Sequence, residues 1–154
     1  MSLSEVRYAE MGDVQGQVPQ RRFGAETTPN VEEVLGFIQN RSREIDVHLA
    51  EQGISTPVTE ATSPQAWGWC RAAVTYGAAM DAEAAGFPGQ GDEGETPRLA
   101  FLRKQWERML KDLHDGTITL PDAPRATGDT ARRSRGASAG TAFFRVGMVR
   151  DGVW

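Results

Sequence analysis

Cysteine, histidine and lysine are nearly missing from this chain: one, two and two residues respectively among 154. A lone Cys70 excludes an internal disulfide and a cysteine-rich zinc site. It stands beside Trp69 and near Ala73 in helix-forming sequence, where a thiol behaves as a small buried hydrophobe. His48 and His114 fall in different stretches with no compact cluster of cysteine, histidine or carboxylate around either, so both read as surface or helix-end residues and no metal site is expected. Paired carboxylates and a Ser/His/Asp set are also missing, so the sequence offers no catalytic residue and calls for no cofactor. No run of about 18 apolar residues exists, which leaves no membrane span. The first ten residues lack a charged region leading into an apolar one. A soluble, unexported chain is expected.

What the sequence has in quantity is a recurring pattern. Thr28-Pro29, Ser63-Pro64 and Thr96-Pro97 each join an N-cap hydroxyl to a proline suited to the first helical turn. Gly53, Gly86 and Gly116 follow at distances fitting helix stops. None of the three starts, taken from its hydroxyl residue, has the acidic partner of a capping box. The predicted helices run over 29–52, 64–85 and 97–115. In the first, Val31, Leu35, Ile38, Ser42, Ile45 and Leu49 form a seam widened by Val34, while Glu44 and Asp46 read as its solvated edge. In the third, the seam is Leu99, Leu102, Trp106, Met109 and Leu113, with Phe101 and Leu110 beside it.

The second helix differs, with Gly68, Ala72, Ala73, Gly77, Ala78, Ala79 and Ala82 spreading small side chains around it. Gly77 in a helix interior costs roughly 0.8 to 1 kcal/mol against alanine, which close helix approach can offset. Trp67 and Trp69, two residues apart, project about 200° from one another. One can enter the core; the other is left for a linker or a second subunit. Trp67, Trp69 and Gly77 are therefore candidates for the core or for an interface between copies.

The expected architecture is all-α: a small three-to-four-helix bundle over 29–120, an extended N-terminal arm over 1–28, and a C-terminal interaction tail over 121–154 with a possible short strand. The arm includes a helical turn around Ala9 to Gln15 and a basic-aromatic group, Arg21, Arg22 and Phe23, read as solvated. Between the second and third helices, Gly89, Gly91 and Gly94 imitate a phosphate cradle. No strand precedes them, no GK[ST] follows and two acids intervene, so that reading is rejected.

Residues 125–154 carry six arginines against two aspartates, a balance of +4, which leaves −8 for the remainder of a chain whose net charge is −4. Arg132, Arg133 and Arg135 lie in a Gly/Ala/Ser-rich linker; Phe143, Phe144, Val146, Met148, Val149 and Trp154 then form an apolar, strand-prone cluster. Ordering each residue opposes folding by about 1 to 2 kcal/mol, more than this segment recovers alone. These nine residues are the candidate partner-binding set, and addition of residues 142–149 to a foreign sheet edge is one way to use them.

Ile38, Arg41, Ser42, Glu44, Ile45, Asp46 and Leu49 before Gly53, the Pro57-Val58 turn, and Gly77, Ala78, Ala79, Asp81, Ala82 and Glu83 in the alanine-rich helix together resemble the head-to-tail adaptor, or head-completion, proteins of long-tailed bacteriophages. The likeness covers about 31–115. It implies a small helical bundle forming a homo-oligomeric ring of twelve copies in the virion at the head–tail interface. Such a ring would sit between the portal protein and a tail-side connector or stopper protein, with DNA passing non-specifically through its centre. Only the helix pattern carries over residue by residue. The competing class is a small helical nucleic-acid-binding or regulatory protein whose arginine-rich tail neutralises phosphates; the acidic body and the lack of helix-turn-helix spacing weigh against it.

Overall fold

A computed structural model describes residues 6–87 and 95–127. They form four helices: α1 (Met11–Gln17), α2 (Val31–Glu51), α3 (Pro64–Ala85) and α4 (Pro97–His114). No strand occurs among the described residues; the all-α bundle is what the periodicity predicted. α3 is the central helix, and α1, α2 and α4 each pack on it. That position explains its composition: a helix approached from three sides has little room for large side chains, and Ala66, Cys70, Ala73, Val74, Gly77, Ala78, Ala79 and Ala82 are all buried. Its small residues are largely consumed within one chain.

The helix starts differ from expectation in two of three cases. α2 begins at Val31, two residues beyond Pro29, because Asn30 is its N-cap. Asn30 Oδ1 accepts the Glu33 N–H at 2.9 Å and the Glu33 carboxylate accepts the Asn30 N–H at 2.8 Å, so a capping box is present after all. Pro29 is buried and precedes the helix, its peptide bond to Thr28 being cis. α3 does begin with Pro64, but the Ser63 hydroxyl makes no capping bond. Asp122 caps it instead, accepting N–H bonds from Gln65 at 2.7 Å and Ala66 at 3.0 Å. α4 follows the sequence rule, with the Thr96 hydroxyl accepting from Leu99 N–H at 3.1 Å. At the stops, Gly53 (φ 75°) and Gly116 (φ 70°) take the left-handed conformation. Gly86 stays right-handed and is small for a different reason: a Cβ there would collide with the Arg21 guanidinium.

The seam of α2 is also rotated from the one expected. Val34, Ile38, Ser42, Ile45 and Leu49 are buried, whereas Val31 is 37% exposed and Leu35 sits at the edge. On α4, Leu102, Trp106 and Leu113 are buried and Phe101 is largely exposed.

The N-terminal segment is not a solvated arm over its described part. Tyr8, Ala9, Val14 and Val18 belong to the core and Phe23 packs against it. Arg21 Nε donates to the buried Glu83 carboxylate at 2.6 Å, and its guanidinium covers the Phe87 ring at 4.4 Å. At the other end, Leu120 and Ala123 are buried and Asp122 caps α3, so the body continues past residue 120 to at least Ala126.

Gly77 shows how tightly α2 and α4 close on α3. A Cβ at this position would stand 2.9 Å from Trp106 Cε3 and 3.0 Å from Arg41 Cδ. We expect Gly77→Ala to destabilise the fold by about 1 kcal/mol or more despite the better helix propensity, because the Trp106 ring must shift. Gly68→Ala, in the same helix with nothing within 4 Å, should gain up to about 1 kcal/mol. Urea denaturation of the two variants beside the parent checks both signs.

Candidate functional site

Of the residues singled out for partner binding, Arg132, Arg133, Arg135, Phe143, Phe144, Val146, Met148, Val149 and Trp154 lie outside the described residues. The same holds for Gly89, Gly91 and Gly94. What the structure defines is the point from which the tail departs. Ile54 and Arg125 form an antiparallel bridge, flanked by Ser55 N–H donating to Pro124 C=O at 2.7 Å and Ala126 N–H donating to Gly53 C=O at 2.9 Å. The left-handed Gly53 turns the chain out of α2 and into this contact. Asp122, three residues before the bridge, is held at the positive end of α3. The root of the tail is therefore bonded on both sides to the ends of two long helices.

Trp67 and Trp69 occupy the first two turns of α3, the end that Asp122 caps. Both are half-buried and packed against the core. Arg71 stands over the Trp67 ring at 5.4 Å. The Trp69 indole N–H is buried and finds no acceptor among the described residues. Gly77 lies farther along α3, at the Trp106 and Arg41 contact, and belongs to the core. The three candidates are thus on one helix without forming one patch.

The charged side chains mostly satisfy one another across elements. Arg41 donates to both carboxylate oxygens of Asp81 on α3, at 2.8 and 2.7 Å, and to Glu44 at 2.8 Å, while stacking over Trp106 at 4.9 Å. Glu44 thus serves a paired arginine. Arg71 of α3 makes two bonds to Asp13 of α1, at 2.9 and 2.8 Å. This pair lies in a groove of about 280 Å³ also lined by Gln17, Gly68 and Tyr76. Arg98 of α4 donates to the Gln17 carbonyl, closing the C-terminal end of α1.

Asp46, expected on a solvated edge, is half-buried and part of a network. Tyr8 OH donates to Asp46 Oδ1 at 2.5 Å and accepts the Val58 N–H at 3.0 Å. Tyr8 N–H donates to Ser42 Oγ at 3.2 Å, and Ser42 in turn donates to the Ile38 carbonyl at 2.7 Å. This accounts for a serine in an otherwise apolar seam. Burial raises the Asp46 carboxyl above its ordinary range, against the Tyr8 bond, which lowers it. Burial also pushes the Cys70 thiol up to about 12, with the Asp46 charge adding to the effect. Cys70 is fully buried, as its sequence context suggested.

Sequence reasoning missed one cluster. His48 in the last turn of α2 and His114 at the end of α4 are in contact, with His48 Nδ1 and His114 Nε2 separated by 3.0 Å and the rings edge-to-face at 88°. Glu51 Oε2 lies 3.5 Å from the same His48 nitrogen. The pairing joins residues 66 apart in sequence, and no local spacing announces it. A common position at helix C-termini was the one available signal.

Comparison with family models, curated proteins and solved structures returns no match.

The Arg71 bonds hold the Asp13 carboxyl below its ordinary value, against burial, which raises it. Its contribution to stability is therefore fully present above the unfolded pKa of about 3.9 and is lost as pH falls through the lower folded value. Asp13→Asn should flatten that acid limb. Asp46, whose folded pKa is raised, acts in the opposite sense: acidification relieves the buried charge, so Asp46→Asn should steepen the net loss. Unfolding midpoints measured from about pH 5 to about pH 2 read both effects.

Proposed function

We propose that this chain is a structural connector of a virion: a head-to-tail adaptor of a long-tailed bacteriophage, assembling as a ring of twelve between the portal and the next tail component, with DNA passing through the centre. It works by holding surfaces together and carries no catalysis. The observation that carries the reading is the anchored root of the tail. A compact body bonded up to Ala126 hands over residues 128–154, with their arginines and apolar cluster, at a fixed place beside the ends of α2 and α3. A connector needs this combination, a body that keeps its shape and a grip attached to it at a defined point.

Three further features support it. Cross-element ion pairs such as Arg41–Asp81, Arg71–Asp13 and Arg21–Glu83 brace the body. Val47 at 58% and Phe101 at 42% exposure leave apolar side chains on the outer faces of α2 and α4. In a closed ring each copy makes the same head-to-tail contact with its neighbour, so a modest patch is multiplied around the circle. The acidic body beside a channel favours sliding of DNA over capture, and any phosphate contact made by the tail arginines is sensitive to salt.

The test is electron microscopy of the full chain mixed with its cognate portal rings. Rings of twelve seated on the portal are expected, and a chain ending at Thr127 should lose the attachment while keeping its helical circular dichroism. A full chain that neither forms rings nor binds the portal overturns the proposal. Tight, salt-steep DNA binding that disappears with the tail would favour the nucleic-acid-binding alternative.

A further inference from the structure

We propose that His48, Glu51 and His114 form a binding site for a divalent transition metal of the zinc class, placed where the C-terminal ends of α2 and α4 meet. The geometry is the first argument. Zinc bonded to nitrogen or oxygen at about 2.0 to 2.1 Å in a tetrahedron requires donor atoms roughly 3.3 Å apart. His48 Nδ1 lies 3.0 Å from His114 Nε2 and 3.5 Å from Glu51 Oε2, one distance on each side of that edge. The third pair completes a triangle whose ligand atoms all fall within 4.8 Å of one another. A turn of the exposed Glu51 side chain closes the longer edge, since only His48 among the three is substantially covered.

Electrostatics is the second argument. His48 and Glu51 lie in the last turn of α2, and His114 is the last residue of α4. The unsatisfied carbonyls of a helix end carry partial negative charge, so two such ends meeting at one point favour a cation there. One carboxylate adds a formal charge to two neutral imidazoles, the donor mixture that suits zinc, nickel or copper over magnesium and calcium, which prefer oxygen alone.

The outer nitrogen of His114 is also provided for. Gln52 Nε2 lies 3.4 Å from His114 Nδ1. Half a turn of the Gln52 amide presents its carbonyl oxygen to that nitrogen, which then keeps its proton and leaves Nε2 free for the metal. Binding replaces the hydrogen bond between the two rings with the metal ion; a proton carried in that bond on His48 Nδ1 passes to His48 Nε2 by exchange with solvent, so that both ligating imidazoles are neutral. Three protein donors leave the fourth position for water or for a group from a neighbouring molecule. A metal here would staple α2 to α4 next to the root of the tail, since Gly53 follows Gln52 directly and bonds Ala126.

The experiment is calorimetric titration of the metal-free full chain with zinc chloride, paired with thermal melts. One zinc per chain and a raised melting temperature are expected. His48→Ala and His114→Ala should each weaken binding by at least about tenfold, the lower bound set by the loss of even a supporting partner. His114 is exposed at the end of its helix, so its variant should keep the parent's circular dichroism. Cobalt substitution gives a second reading: intense visible absorption of a four-coordinate ion in the parent, lost in both variants. Failure of the parent to bind zinc, or binding unchanged in both histidine variants, would overturn the proposal. Neither outcome depends on ring assembly.

Discussion

The fold turns on the missing side chain of Gly77. α3 must be touched from several directions, and midway along it the Trp106 ring and the Arg41 stem occupy the volume that a Cβ would fill. With the glycine in place, Trp106 comes from α4 and Arg41 from α2 to the same spot and stack on each other. Arg41 is then within reach of both oxygens of Asp81 one turn further along α3. Removing a side chain at one position thus permits an aromatic contact, a cation over its face and a bidentate ion pair, each of which depends on the close approach.

The shorter segments are attached by a second device, the use of charged side chains to close helix ends. Asp122 accepts N–H bonds at the start of α3, where the helix end is positive, and Arg98 donates to a carbonyl at the end of α1, where it is negative. Arg21 reaches the buried Glu83, which also accepts from Thr96, the N-cap of α4. These contacts bind the chain before α2 and after α4 to the bundle, and they make the described termini part of the body. A body tied in this way keeps its shape up to the root of its C-terminal segment, which is what the proposed connector role would require.

Much of the architecture was legible because it follows from local rules. Three helices could be placed within a few residues from proline, N-cap and glycine signals, and the burial of Cys70 from its neighbours. The phase of α2 was less legible: Val31 and Val34 satisfy the same periodicity, and only docking against α3 showed which of them turns inward. Spacing alone placed Ser42 in the seam, but the reason for a hydroxyl there lies 34 residues away, in the Tyr8 N–H that donates to it. The capping box of α2 is out of register with Thr28-Pro29: it starts at Asn30, two residues after Thr28, and its acidic partner Glu33 follows three residues further on.

By itself the sequence determined the helical class, the alanine-lined character of the central helix and the charge division between body and tail, since each depends on composition or on neighbours within a turn or two. Tertiary structure alone decided that Asp122 caps α3 from 57 residues away, that the N-terminal segment enters the core, and that His48 and His114 meet. Such contacts depend on where separate helices end in space, a property of how they pack that no short stretch of residues encodes.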